Sequence, residues 1–149
     1  MRVVFVGEAV SEAGGLPFDG KNRAGSERRG GSGWRLAKIL YTTPDKMRAR
    51  YSFMNLSRGM EWDRHRATTK ASLLRGSLMA CGERAVIVLL GRRVAEAFGY
   101  RREFFTLGEE PIGRLAYVSL PHPSGRSRVW NDEASVLLAQ RALREAGVL

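Results

Sequence analysis

Short apolar runs recur along the chain and are separated by polar or helical segments. Four of these runs are rich in apolar or β-branched residues, and they occupy positions 2–6, 50–57, 84–91 and 114–120. Runs of this length and composition indicate β-strands. The run at 84–91, RAVIVLLG, is apolar at consecutive positions, which is typical of a central parallel strand covered on both faces. A shorter segment, EFFTL at 103–107, could add a small edge strand.

Segments with helical spacing of apolar residues lie between and after these strands. Helices are predicted at 34–41, 67–81, 92–100 and 133–147. Pro44 is expected to help end the first helix, and Asp132 or Asn131 to cap the last. The alternation predicts an α/β protein, a three-layer α/β/α sandwich with a central four-stranded, mainly parallel sheet. A length of 149 residues suits one ordinary domain, so we expect a single domain over 1–149.

Three polar loops leave these strands at the edge where open parallel sheets bind their ligands. In such sheets the ligand lies beyond the carboxyl ends of the strands. The loops cover residues 7–33, 57–66 and 121–131, and we expect them to converge. The first loop is long and rich in glycine. A loop of that length inside a compact domain is usually functional or disordered.

Net charge narrows the class of partner. Lysine and arginine total 25 against 15 acidic residues, which gives a formal net charge of +10 at pH 7. Such an excess favours polyanions, namely DNA, RNA or an anionic membrane face. No apolar run is long enough to span a bilayer, and the start MRVVFVGEA is too soon interrupted for a signal peptide. We therefore expect a nucleic-acid partner, no membrane and a monomeric protein.

Cysteine and histidine usage argues against a bound metal. Cys81 is the single cysteine, so the chain alone has no internal disulfide and no four-cysteine cluster. We expect Cys81 to be a buried, small apolar residue. His65 has no second histidine at ligand spacing. These features predict no metal, no cofactor and a reducing compartment such as the cytoplasm.

Residues that could bind a ligand or take part in catalysis follow the predicted strands. Gly7 would let a ligand approach the backbone, and Glu8 could orient water or stabilise a developing positive charge, or simply cap a backbone group. Asn55 ends the second strand, where an amide can read a base edge or cap a turn. His122, in PHPSG, can donate to an oxygen on which negative charge develops, or can be incidental to its loop.

Aromatic and cationic residues in the loops suit a nucleic acid. Phe18, on a stiff loop, could stack on a base or fold back into the core. The segment 21–31 mixes cations with small residues, as either a phosphate-contacting loop or a solvated mobile loop would. Arg126 and Arg128 can bind phosphates, whereas Trp130 is expected in the core.

Three motifs, taken in chain order, resemble those of the uracil-DNA glycosylase superfamily. GEA followed by LPFDG resembles its first motif and stacking-aromatic segment, FMNLS resembles its base-reading segment, and PHPSGRSR resembles its final motif, which inserts into DNA. The resemblance covers nearly the whole chain. It implies a DNA glycosylase that hydrolyses the N-glycosidic bond of uracil or a related or modified pyrimidine in DNA and leaves an abasic site.

The resemblance also implies a role for each matching residue. Glu8 would position the attacking water or stabilise the sugar cation, and His122 would stabilise negative charge on the departing base, with Asn55 completing the catalytic set. Base-binding residues would be Gly7, Ala9, Phe18 and Asn55. DNA-binding residues would be Arg23, Arg28, Arg29, Ser124, Gly125, Arg126 and Arg128. Arg126 would lie where the family puts the residue that fills the gap in the duplex.

The chain departs from the superfamily at two points. One cysteine excludes the iron-sulfur branch, and GEAVSE lacks the proline commonly found after this start. A compact or virus-borne member would fit, the latter acting in the DNA compartment of a host cell. No lysine other than Lys21 stands within the motifs to form a Schiff base, which favours a monofunctional enzyme. The alternatives are a non-catalytic nucleic-acid-binding module on this fold and an enzyme that modifies an unusual base or nucleotide.

Overall fold

The computed structural model describes residues 1–9, 17–21, 24–58, 61–111, 113–124 and 127–149. Its strands are β1 (Arg2–Ala9), β2 (Ser52–Ser57), β3 (Ala85–Leu90), β4 (Thr106–Glu109) and β5 (Leu115–Leu120). Its α-helices are α1 (Ser32–Ile39), α2 (Pro44–Arg50), α3 (Arg64–Ala80), α4 (Arg92–Ala97) and α5 (Glu133–Glu145), and a 3-10 helix spans Arg128–Asn131. The alternating order matches the predicted α/β class.

The strands form one sheet in the order β2-β1-β3-β5-β4. β2, β1, β3 and β5 are parallel, and β4 pairs antiparallel with β5 at the edge. The four predicted strands are therefore the parallel ones, and the sheet has a fifth strand. That edge strand begins at Thr106, later than the predicted segment 103–107, because Phe105 lies in the left-handed region at φ 63° and its N–H bonds the carbonyl of Ser119.

Helices cover both faces of the sheet, as the three-layer prediction requires. On one face, Val3 and Phe5 of β1 pack in a core with residues of α1, α2 and α5. On the other face, Val4 and Val6 pack with residues of α3 and α4. β3 and β5 are buried at all six positions each. Burial on both faces explains why these strands read as continuous apolar runs rather than alternating ones.

Two expectations about individual residues are wrong. Pro44 begins α2 instead of ending α1, because a proline in the first helical turn has no N–H to leave unpaired and a backbone angle already suited to a helix. Cys81 is exposed rather than buried, because it follows the end of α3 where the chain turns toward β3. Trp130 is buried in the core, as expected.

Candidate active site

Gly7, Asn55 and Phe18 meet at the carboxyl edge of the sheet. The parallel register of β1 and β2 places Gly7 opposite Asn55. A methyl carbon at Gly7 would lie 2.5 Å from Asn55 Oδ1 and 2.9 Å from Phe18 Cζ. Only a residue without a side chain therefore lets the amide and the ring come this close to the strand. The structure thus brings together three of the residues expected to bind a base.

The Phe18 segment is held in place from several sides. Phe18 has a left-handed backbone, with φ 56°, and its ring lies 5.8 Å from the ring of Phe53. Arg48 donates a hydrogen bond to the carbonyl of Pro17 and lies over the Phe53 ring. Gly33, in the first turn of α1, sits directly against the Phe18 carbonyl. Phe18 is partly buried, so its ring is fixed as a wall of the site instead of being free in solvent.

Asn55 is supported from the helix that follows it. Its side chain is partly buried, and its main-chain carbonyl accepts a hydrogen bond from Lys70 Nζ at 3.2 Å. Lys70 lies on α3, and the sequence reasoning did not single it out. A cation on this carbonyl fixes the backbone from which the Asn55 amide projects.

Glu8 forms an ion pair with Arg93, a residue that the sequence reasoning missed. Arg93 Nη1 lies 2.8 Å from Glu8 Oε1. Arg93 comes from α4, and its guanidinium lies 6.0 Å from the centre of the Trp62 ring. Arg93 follows β3 within three residues, so the rule that ligands bind at strand ends would have found it. Glu8, near the end of β1, is thereby linked through Arg93, which follows β3, to Trp62, which follows β2.

His122 has one ring nitrogen engaged and a depressed pKa. The backbone N–H of Ser124 donates to His122 Nδ1 at 3.1 Å, which puts the proton of the neutral ring on Nε2. Burial lowers the pKa of His122 from its ordinary 6.5, and the negative charge of Glu8 opposes this shift. The ring is therefore neutral at pH 7 and can donate through Nε2. The main-chain carbonyl of His122 accepts a hydrogen bond from Trp130 Nε1 at 3.0 Å.

The turn after β3 makes room for the histidine. Gly91 has φ 107°, in the region that favours glycine, and a methyl carbon there would lie 3.4 Å from His122 Cβ. The Gly91 N–H also donates to the carbonyl of Leu120 at 2.8 Å. These contacts tie the start of the His122 loop to the neighbouring strand end.

The loop after His122 is braced by Arg35 of α1. Arg35 Nη1 donates to the carbonyls of Ser124 and Ser127 at 2.9 and 3.0 Å. Ser124, which is partly buried, and Pro123, which is buried, are both held close to the fold. Sequence reasoning did not find Arg35, because nothing in the spacing of a helical arginine marks its partner 89 residues away.

The remaining expected DNA-binding residues fall into two groups. Arg23, Gly125 and Arg126 lie outside the described residues, and Ala9 is described only by its backbone, which pairs with β2. Arg28, Arg29 and Arg128 are exposed. Arg29 pairs with Glu27 at 3.2 Å and lies 5.2 Å from the Trp34 ring centre. Arg28 and Arg29 lie just before α1, and Arg128 begins the 3-10 helix.

Within the described ranges, no cluster of histidine, cysteine, aspartate or glutamate is arranged to hold a metal ion. His65 is an exposed residue of α3 whose carbonyl accepts from Thr69. Over the same ranges, no helix combines the length and the apolar character needed to cross a membrane.

The sequence of the chain matches a known protein family. The family model described as the uracil DNA glycosylase superfamily matches residues 1–145 of the chain. No curated protein matches it. The match covers every strand of the sheet and the loops that carry Glu8, Asn55 and His122.

Proposed function

Since the chain belongs to the uracil DNA glycosylase superfamily, we propose that it hydrolyses the N-glycosidic bond of uracil, or of a related or modified pyrimidine, in DNA. The products are the free base and an abasic site. The observation that carries this proposal is the meeting of Phe18 and Asn55 over Gly7. A ring face and an amide at one strand end are what a flipped base needs for stacking and for edge recognition.

Asn55 reads the base in this proposal. Its amide has both a donor and an acceptor, and a pyrimidine such as uracil presents a carbonyl next to a ring N–H. A single amide can satisfy both groups at once. Because Asn55 is partly buried, a base that failed to match would leave buried polar groups unpaired, which disfavours the wrong base.

His122 and Glu8 act on opposite charges as the bond breaks. Cleavage leaves the sugar with positive character and the base with negative character. The Nε2–H of neutral His122 donates to the base oxygen, where the negative charge develops. The Glu8 carboxylate stabilises the sugar cation or orients the water that adds to C1′. Water supplies hydroxide to the sugar carbon and the remaining proton to the departing base.

The reaction needs no amine in this mechanism, so we propose a monofunctional hydrolase. Lys70, the lysine bound next to the site, is engaged with the Asn55 carbonyl. The exposed Arg28, Arg29 and Arg128, together with Ser124, bind DNA phosphates. Arg23, Gly125 and Arg126 are assigned to the same DNA contact from their sequence positions.

The test is base release from labelled oligonucleotides that carry one uracil, either single-stranded or paired opposite guanine or adenine. Alkali cleaves abasic sites and reveals the product. We expect His122→Ala and Asn55→Ala to lower release by about two to three orders of magnitude, while His65→Ala leaves it unchanged. His65 is the matched control because it is the other histidine and is exposed on α3.

Every other outcome would reject a stated part of the proposal. Equal activity in both site variants and the parent would reject the site. DNA binding without any abasic product, on uracil and on modified pyrimidines, would reject the glycosylase and favour a binding module. Cleavage of the strand without alkali would reject the monofunctional mechanism.

A further inference from the structure

A groove of about 490 Å³ lies on the outer side of α1, beside the base-binding cluster that Gly7, Phe18 and Asn55 form. It is lined by Arg29, Trp34, Lys38, Tyr41 and Thr42. Trp34 and Lys38 stand one helical turn apart, and Tyr41 and Thr42 follow the end of the helix. The opposite side of α1 is buried in the core. Two aromatic rings and two cations therefore share a face that the core does not use.

The Tyr41 ring is fixed although it is exposed. The residue is 66% exposed, yet its hydroxyl donates to Gln140 Oε1 at 2.7 Å and accepts from Arg144 Nη2 at 3.3 Å. Gln140 is itself buried and donates to the carbonyl of Ile39. Tyr41 also has a left-handed backbone, with φ 54°, which a bulky residue adopts only when its surroundings impose it. The ring is thus held with its polar end satisfied and its apolar body in solvent.

The groove adjoins the base-binding cluster across the start of α1. A methyl carbon at Gly20, two residues after Phe18, would lie 2.9 Å from Trp34 Cδ1. The next residue on the helix, Arg35, holds the Ser124 carbonyl on the other side. A strand with one nucleotide at Phe18 would therefore reach Trp34 with its neighbouring nucleotides.

We propose that this groove binds single-stranded DNA flanking the base that is excised, with bases stacked on Trp34 and Tyr41 and phosphates paired with Arg29 and Lys38. The identity of the nucleic acid rests on the proposed function. Ring faces bind any unpaired base, whereas a duplex hides its base faces within the stack. From Trp34 to the end of α1 at Ile39 the helix advances about 7.5 Å, and Tyr41 follows two residues later.

Charge complementarity favours a polyanion over a peptide as the occupant. The chain carries a net charge of +10, and Lys38 and Arg29 are both exposed. Arg29 lies over the Trp34 ring, so a base that stacks on this face displaces the guanidinium, which can then pair with the adjoining phosphate.

The first experiment measures binding of a fluorescein-labelled oligothymidylate, which contains no uracil, over a range of salt concentrations. Each lost phosphate contact should reduce the slope of log K against log salt by about 0.7 for a single strand. We expect this reduction for Arg29→Ala and for Lys38→Ala. Lys46→Ala is the matched control, because Lys46 is an exposed lysine of α2 that does not line the groove, and its slope should equal that of the parent.

The second experiment tests stacking. Tyr41→Ala should weaken oligothymidylate binding about tenfold, whereas Tyr41→Phe keeps the ring and should stay within about twofold of the parent. Thermal melting of both variants separates loss of the ring from loss of the fold, since both lose the bonds to Gln140 and Arg144.

Three results would overturn the proposal. In the first, the slopes of Arg29→Ala and Lys38→Ala equal that of Lys46→Ala. In the second, Tyr41→Ala binds oligothymidylate like Tyr41→Phe. In the third, these substitutions weaken binding of a hairpin duplex as much as binding of the single strand. The probe keeps this test separate from catalysis. Absence of base release with intact groove binding rejects the proposed function alone, and base release without groove effects rejects this inference alone.

Discussion

Glu8 Oε1 and Arg93 Nη1 lie 2.8 Å apart, joining the end of β1 to α4 across 85 residues of chain. Both side chains are partly exposed, and an ion pair of that kind contributes at most about 1 kcal/mol to stability. The pair therefore matters more for where the carboxylate points than for holding the fold. We expect Arg93 to position Glu8, and the Arg93 guanidinium itself lies over the Trp62 ring, 6.0 Å from its centre.

Arg93→Gln should separate positioning from stability. We expect the single-turnover rate of base release to fall about tenfold, because a carboxylate without its partner samples orientations that do not face the sugar. The free energy of unfolding should change by less than about 1 kcal/mol. Arg141→Gln is the control, because it breaks the exposed Arg141–Glu145 pair of α5 and should leave the rate unchanged. An unchanged rate in Arg93→Gln would remove Arg93 from the site.

Gly7→Ala should disturb the cluster of Gly7, Phe18 and Asn55 with one methyl group. The added carbon would overlap Asn55 Oδ1 and the Phe18 ring, and both side-chain ends must move. We expect base release to fall about a hundredfold and the free energy of unfolding to fall by about 1–3 kcal/mol. Gly76→Ala is the control, because it lies in α3 with open space around it and should stabilise the helix by about 1 kcal/mol. Wild-type release by Gly7→Ala would mean that the base binds elsewhere.

His122 should give stability and activity a shared dependence on pH. Its pKa is lowered in the folded state by burial, so the unfolded chain takes up the proton first as pH falls. The stability is therefore fully present above about pH 6.5 and is lost as pH falls from there through the lower, folded pKa. Base release should decline over the same acidic range, because an imidazolium no longer accepts from the Ser124 N–H.

The measurement is urea unfolding and single-turnover base release at a series of pH values. His122→Ala should abolish this part of the pH dependence of unfolding, and His65→Ala should retain it. A rate that rises as the histidine becomes protonated would contradict a neutral donor.

The sheet was predictable because strands that are buried on both faces consist of consecutive apolar residues. β3 and β5 are covered on both faces, so their apolar runs are uninterrupted and their parallel pairing follows. β4 and α2 are short and lie at the edges of the fold, where few positions are constrained by the core. Pro44 is ambiguous for a further reason, since proline is compatible both with ending one helix and with beginning the next.

The position of a candidate site residue was predictable where that residue follows a strand. It was not predictable where the residue contacts a segment far away in sequence. Gly7, Glu8, Asn55 and His122 all lie at or just after strand ends, so topology brings them to one edge. Arg35 and Lys70 act through main-chain carbonyls of residues far away in sequence. A carbonyl acceptor has no sequence signature, because every residue has one.

Arg35→Ala should loosen the loop that carries His122 and Ser124. The guanidinium bonds two carbonyls of this loop, and the Ser124 N–H in turn fixes the His122 ring. Without Arg35 we expect the saturating rate of base release to fall about tenfold and the apparent affinity for DNA to weaken, because both Ser124 and His122 lose their support. Arg35→Lys should recover part of the rate, since an ammonium can still donate to one carbonyl.

Arg102→Ala is the matched control, because Arg102 also donates to a main-chain carbonyl, that of Leu107, and should leave both quantities unchanged. If Arg35→Ala altered affinity while leaving the saturating rate intact, the brace would serve DNA binding alone and the His122 ring would be held by the remaining contacts of its loop.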